Sequence, residues 1–143
     1  NGTVLELPAN THGNQSYQRR APDANGDGKG DLGMIRPGNY SVVPNGQYLG
    51  NASFHVRTTG GSGRLPGYRD TNQDGMFSEA EKANAVKKGY VSTEILFHRG
   101  GDNHNWSMGC QTLNGPQYDQ FLKAVGGKGA AFNYSLVDAN EQK

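Results

Sequence analysis

One cysteine, Cys110, is the entire thiol inventory of this 143-residue chain, so no intramolecular disulfide can staple it. Long apolar runs are missing as well. No stretch approaches the about 20 apolar residues that a membrane-crossing helix requires, and a spanning segment is excluded. Charge of one sign is also scarce: 14 Lys and Arg against 13 Asp and Glu leave a net +1, and only Arg19-Arg20 and Lys87-Lys88 cluster. A nucleic-acid binder carries a basic stripe with interleaved aromatics, and none is present. Hydrophobic residues make up only 33% of the chain, which gives one domain a thin core. The 22 Gly and 6 Pro follow no collagen-like or low-complexity period and instead predict many turns and short strands.

What is present in quantity is Asp, Asn and Gly at regular spacing. The run from Asp70 to Glu81 fills the calcium-loop template at positions 1, 3, 5, 6, 9 and 12. Asp70, Asn72 and Asp74 offer side-chain oxygens, Met76 a carbonyl, Ser78 a water-mediated contact and Glu81 a bidentate carboxylate, with Gly75 at the sharp turn. Ser78 and Glu81 also spell a capping box that opens a polar helix over Glu79 to Lys88. No helix enters this loop, because residues 60–67 hold too many breakers, so the expectation is a structural clip rather than a sensor. A second loop spans 23–34, where Asp23, Asn25, Asp27 and Gly28 repeat the same opening and Met34 replaces the terminal glutamate. Asp31 is the substitute ligand there, and an ordinary Gly/Asn/Asp turn is the competing reading.

Cys110 lies twelve positions after His98 in F-H-R-G-G-D-N-H-N-W-S-M-G-C-Q-T-L. Free cysteine, with a pKa of about 8.5, is only about 3% thiolate at pH 7, so a nucleophilic role needs a base or a neighbouring imidazolium, and His98 is the candidate. The surroundings Ser107, Gly109, Gln111 and Thr112 form no apolar run of the kind that buries an inert thiol. Gly109 lets two successive N–H groups face a reacting carbonyl. His104 is a rival base, and Cys110, His98, His104 and Asp102 together are acceptable ligand types for zinc, although without CxxC or HxxxH spacing. His12 and His55 have no evident partner.

His98-x-Gly100 followed by Ser107-x-Gly109-Cys110 resembles the signature of the L,D-transpeptidases of bacterial peptidoglycan, and Ile35-Arg36-Pro37-Gly38-Asn39-Tyr40-Ser41-Val42 is similar to an upstream strand of that family. The likeness covers about residues 35 to 137. Met108 stands where the family usually has a second histidine, and Thr112 where members commonly have a carboxylate-binding arginine. The resemblance implies that Cys110 attacks a stem-peptide carbonyl beside meso-diaminopimelate to form a thioester, which an amine or water resolves. It further implies His98 as base, the carbonyl of Arg99 or Gly100 as its orienter, and the Gly109 and Cys110 amides as the oxyanion hole. Ser107, Thr112 and Arg99 then contact substrate, Arg99 taking the carboxylate that Thr112 cannot hold. Because the family includes interbacterial toxins, a secreted effector is among the implied roles.

Strands are expected near residues 4–7, 39–43, 52–57, 93–97, 111–113 and 131–137. A second helix is expected from Pro116 to Val125, with Tyr118, Phe121, Leu122 and Val125 on one face and Gly126 as its stop. The predicted architecture is a mainly β single domain over 1–143, a curved sheet or sandwich of L,D-transpeptidase type with two helices and calcium-loop insertions at 23–34 and 70–81. Calcium loops in a chain with one cysteine predict an extracytoplasmic setting, in the periplasm, the cell wall or outside the cell. The alternatives are a calcium-stabilised, dockerin-like binding module with an incidental Cys110, and a different cysteine peptidase or amidase.

Overall fold

Frequent turn residues cut the chain into short elements, and the computed structural model describes residues 5–11, 13–101 and 109–138. A 3-10 helix, Gln15–Arg20, precedes the strands β1 (Gly33–Ile35), β2 (Gly38–Tyr48), β3 (Asn51–Thr58) and β4 (Leu65–Arg69). Then come α1 (Glu79–Lys88), β5 (Val91–Ser92), β6 (Leu96–Arg99), β7 (Gln111–Leu113), α2 (Gly115–Val125) and β8 (Phe132–Leu136). The fold is mainly β, with a curled five-stranded sheet in the order β7-β6-β3-β2-β8 and a smaller sheet β1-β4-β5. Every strand pair is antiparallel except β6 and β7, which run parallel with His98 opposite Thr112.

The long hairpin β2–β3 turns through Leu49 and Gly50, both at positive φ, as a tight two-residue hairpin loop demands. Pro44 lacks a ladder donor, and the register shifts between it and Gly46. Helix α1 begins and ends on the residues that the sequence marks, and α2 ends there too but starts at Gly115, one residue before the expected Pro116. Ser78 and Glu81 form the reciprocal capping box of α1, and Gly89 and Gly126 close the two helices in the left-handed region. Tyr118 is buried, and Phe121, Leu122 and Val125 pack α2 against the large sheet. Phe97 stacks on Phe121 at 5.3 Å, and Phe54 meets Phe132 edge-on at 5.5 Å. One apolar cluster joins Ile35, Val42, Phe54, Leu65, Ile95 and Leu113, so both sheets share it.

Two predicted strands move. Residues 5–7 form no strand, and the backbone of this N-terminal segment instead pairs at Asn10, which exchanges two hydrogen bonds with Thr112 at 2.7 and 2.9 Å. The expected strand 93–97 is split, because Glu94 adopts a left-handed φ of 57° and turns the chain from β5 in the small sheet to β6 in the large one. Strands β1, β4 and β5 were not anticipated.

Candidate functional site

The parallel pairing of β6 and β7 sets the two residues singled out for chemistry on one cavity, with no hydrogen bond between His98 Nε2 and the thiol among the described residues. Cys110 immediately precedes β7, level with Leu96, whose N–H donates to Sγ at 3.4 Å, while the thiol reaches the Glu94 carbonyl at 3.8 Å. His98, two residues beyond Leu96, shares its face of the strand. Cys110 and His98 both line a cavity of about 1110 Å³. His98 is only 1% exposed, and its Nδ1 lies 3.0 Å from the Arg99 carbonyl oxygen. A carbonyl can only accept, so Nδ1 carries the proton and Nε2 of the neutral ring holds the lone pair. Nε2 is buried and has no hydrogen-bond partner among the described residues. Of the two expected orienters, Arg99 supplies the carbonyl; Gly100 instead donates its N–H to Leu113 at 2.7 Å.

Burial pushes the His98 imidazole below its ordinary range, and the Arg99 carbonyl only partly opposes this. Burial likewise pushes the Cys110 thiol up, against the Leu96 N–H, with the Glu94 carboxylate adding to the rise. Both shifts favour a neutral thiol beside a neutral imidazole. Desolvation disfavours both ions.

Arg99 follows His98 on β6, and Thr112 stands opposite His98 on β7. Alternation along β6 sends the Arg99 guanidinium to the side opposite His98, where it donates to Asp119 of α2 at 2.8 Å. The same group lies so close to Gly115 that a Cβ there would be 2.5 Å from Nη2. Thr112 is fully buried beside His98, and its Oγ1 finds no partner among the described residues. Gly109 is buried at φ 153°, with the Gly33 carbonyl 3.1 Å from where a Cβ would stand, which explains glycine before the cysteine. Ser107 lies outside the described residues, as do His12, Asp102 and the rival base His104.

Sequence reasoning missed several cavity residues. Tyr48, at the β2–β3 hairpin tip, lays its ring 4.6 Å from that of His98. His55 of β3 lines the same cavity, accepts from Arg57 at Nδ1 and is held below its usual pKa by burial and by Arg57, against Glu94. Arg20, Arg69 and Glu94 complete the charged lining with Arg99. No local pattern marks these residues, because hairpin closure and sheet pairing bring them in from distant segments.

The downstream Asp/Asn/Gly loop gathers its acids. Asp70, Asp74 and Glu81 each bring a carboxylate oxygen within 4.8 Å of the others, a group that could hold a metal ion. Asp70 is 2% exposed and accepts from the Asp74 and Gly75 amides; burial raises its pKa, aided by the facing Glu81 and Asp74 carboxylates. Burial also works against ionised Glu81. Hydrogen bonds from Ser78, Asn72 and Thr71 outweigh it and hold that carboxyl below its usual range. Asn72 accepts from Asp74, and the exposed Met76 donates its N–H to Asp74.

The upstream loop does not converge in this way. Among the described residues, no group containing Asp23, Asp27 or Asp31 meets the same criterion. Asp23 accepts from Gly26, Asp27 and Gly28, Asn25 from Asp27, and Asp27 from Lys29. Asp31, fully buried, is engaged by the Ala24 amide at 2.8 Å and the Gln73 side chain at 2.6 Å. The ordinary-turn reading fits this geometry.

No protein-family model matches the chain, and no curated protein or solved structure matches it either. No helix among the described residues is long and apolar enough to cross a membrane.

Proposed function

We propose that this protein is a cysteine-dependent acyl-transfer enzyme in which Cys110 is the nucleophile and His98 the general base. The observation that carries the reading is the buried Nε2 of His98, without a hydrogen-bond partner among the described residues and with its tautomer set by the Arg99 carbonyl, in a cavity that Cys110 also lines. In the first step Nε2 takes the thiol proton as Sγ bonds to the acyl carbon. The acyl C–N bond then breaks, and the imidazolium returns its proton to the departing amine. Water or a second amine next attacks the thioester, its proton passing through His98 to the leaving sulfur. The Gly109 and Cys110 amides are the proposed donors to the carbonyl oxygen. Substrate class rests on the sequence resemblance to L,D-transpeptidases: peptidoglycan stem peptides, in an extracytoplasmic setting, with an antibacterial effector role among those the family fills.

The downstream loop is proposed as a calcium site held by Asp70, Asn72, Asp74 and Glu81 with the Met76 carbonyl, a set of hard oxygens that suits that ion. Its contribution is structural, since it ties β4 to α1. The same acidic cluster favours the second reading, a calcium-stabilised binding module without catalysis.

Incubation with purified peptidoglycan fragments and calcium, read by product mass, tests the proposal. Cys110→Ala and His98→Ala are each expected to abolish turnover, and the double variant to cost little more than either alone, because the pair acts as a unit. A fully active Cys110→Ala protein overturns the thiol mechanism and leaves the binding module.

A further inference from the structure

The cavity of Cys110 is lined by two histidines, and their neighbours lock them in opposite tautomers. His98 gives its Nδ1 proton to the Arg99 carbonyl at 3.0 Å, which leaves Nε2 an acceptor. His55, on β3, is held the other way. Its Nδ1 accepts from Nε of Arg57 at 3.0 Å, and a guanidinium can only donate, so the proton of the neutral ring sits on Nε2. Burial keeps this ring neutral by pushing it below its ordinary range, and the Arg57 charge adds to the fall against Glu94. The loop after β3 crowds the ring as well, since a Cβ on Gly63 would stand 3.2 Å from His55 Cε1. Sheet register fixes where the donor stands. His55 pairs with Leu96 of β6, and Cys110 lies level with Leu96 on the opposite side, taking its N–H on Sγ at 3.4 Å. Two strand spacings, roughly 10 Å, therefore separate the backbones of His55 and Cys110. His98, two residues beyond Leu96, is the diagonal neighbour of His55 on the same face, with Cβ atoms about 7–8 Å apart.

We propose that His55 is a substrate-binding residue whose Nε2–H donates to a peptide carbonyl of the acyl substrate, one or two residues before the carbonyl that Cys110 attacks. An extended chain advances about 3.3 Å per residue, so one or two residues cover the gap that remains once both side chains reach into the cavity. The acyl portion stays on the enzyme through the thioester, and a contact there holds register in both steps. A neutral donor suits a neutral peptide oxygen, because the pair brings no uncompensated charge into the cavity. The two tautomers then divide the work, with the acceptor on His98 moving the proton and the donor on His55 holding the chain. Arg57 is a positioning residue in this scheme, since it keeps the His55 proton on Nε2 from outside the cavity. The inference deepens the acyl-transfer reading and rests on it for the identity of the substrate.

The test removes acceptor and donor in turn. Stem peptides in which the first or the second peptide bond before the attacked carbonyl is replaced by an (E)-alkene lose one carbonyl oxygen without gaining charge. The native protein is expected to lose roughly tenfold in kcat/KM on one of the two, the scale of one hydrogen bond. His55→Leu should lose about as much on the parent peptide and discriminate no further, and His55→Gln, which keeps an N–H, should recover part of the difference. Iodoacetamide should alkylate Cys110 equally fast in the native protein and in His55→Leu; slowed alkylation would put His55 in thiol activation and overturn the binding role. Arg57→Leu, an exposed substitution, should let the His55 proton redistribute between the ring nitrogens, read by proton–nitrogen correlation NMR, and should weaken the discrimination; it carries the comparison if His55→Leu does not fold. Equal turnover of the parent and both isosteres by the native protein, or discrimination that survives the loss of the Nε2 donor, overturns the proposal. If the native protein turns over no stem peptide, the acyl-transfer reading fails instead, and calorimetric titration with parent and isosteres decides His55 alone. Tighter binding of the parent that His55→Leu erases supports the contact, and equal binding or none overturns it.

Discussion

The two Asp/Asn/Gly loops share template positions 1, 3, 5 and 6 and part company at 9 and 12. Both fold their opening aspartate back onto the amides four and five residues ahead, Asp23 onto Asp27 and Gly28 and Asp70 onto Asp74 and Gly75. Local sequence therefore dictates the turn in each case. Convergence of charge is a separate property. In the downstream loop Glu81 returns on the first turn of α1 to face Asp70, whereas Met34 occupies the equivalent place in β1, paired with Tyr68. The ligand that would close the upstream loop has become part of a sheet.

The largest expected contrast is the response to calcium. Binding to the folded state alone stabilises by RT ln(1 + [L]/Kd), about 2.7 kcal/mol at a hundredfold excess over Kd. At about 2–4 °C per kcal/mol for a domain of this size, the melting temperature should fall by roughly 5–10 °C between millimolar calcium and excess chelator. Glu81→Ala should remove this response and also cost about 1 kcal/mol for its share of the α1 cap. A melting curve that chelator leaves in place makes the two loops equivalent and removes calcium from the account.

Next in size is Asp31→Ala. Loss of this buried acceptor leaves the Ala24 amide and the Gln73 side chain without it, at an expected cost of about 1–3 kcal/mol in chemical denaturation. The shift between chelator and calcium should survive, because Asp31 supports the downstream loop without being a ligand. Disappearance of that shift would make Asp31 part of the metal site.

A smaller effect sharpens the comparison through pH. The folded-state pKa of Asp70 lies above its unfolded value, so its contribution is fully present below the unfolded pKa and is lost as pH rises through the folded one. In chelator, native stability relative to Asp70→Asn should decline with rising pH over that window. Glu81, whose pKa is lowered, gives the opposite slope, and calcium should reverse the Asp70 trend. Smallest of all is the effect of Asp23→Ala, in an exposed loop, which should lower stability slightly with no change in calcium response. Met34→Glu, held in the β1 ladder, should not create a second site; a new calcium transition in that variant would break the contrast.

The helix caps and the converging acids of the downstream loop were legible because each is a local pattern whose physics operates within about a dozen residues. The small sheet was not. Leu65-Pro66-Gly67-Tyr68-Arg69 reads as a turn, yet Gly67 is there because Ser92 Oγ approaches to 2.7 Å of where a Cβ would lie, a contact visible only when β5 is in place. The ion pair of Arg99 was illegible for the same reason, since Asp119, its partner, lies on a helix twenty residues away.

The bridge between Asn10 and Thr112 bears on how the protein avoids sticking to itself. β7 is the outermost strand on its side of the large sheet, and an open strand edge is a template on which another chain can add. Asn10 takes both the N–H and the carbonyl of Thr112, while the Gln111 side chain holds the Thr11 carbonyl at 3.3 Å. The rim that carries Cys110 is thus covered by the chain's own residues 10 and 11. Proteolytic release of residues 5–11 would bare that rim, and self-association through β7 would then bury Cys110 in a neighbouring molecule.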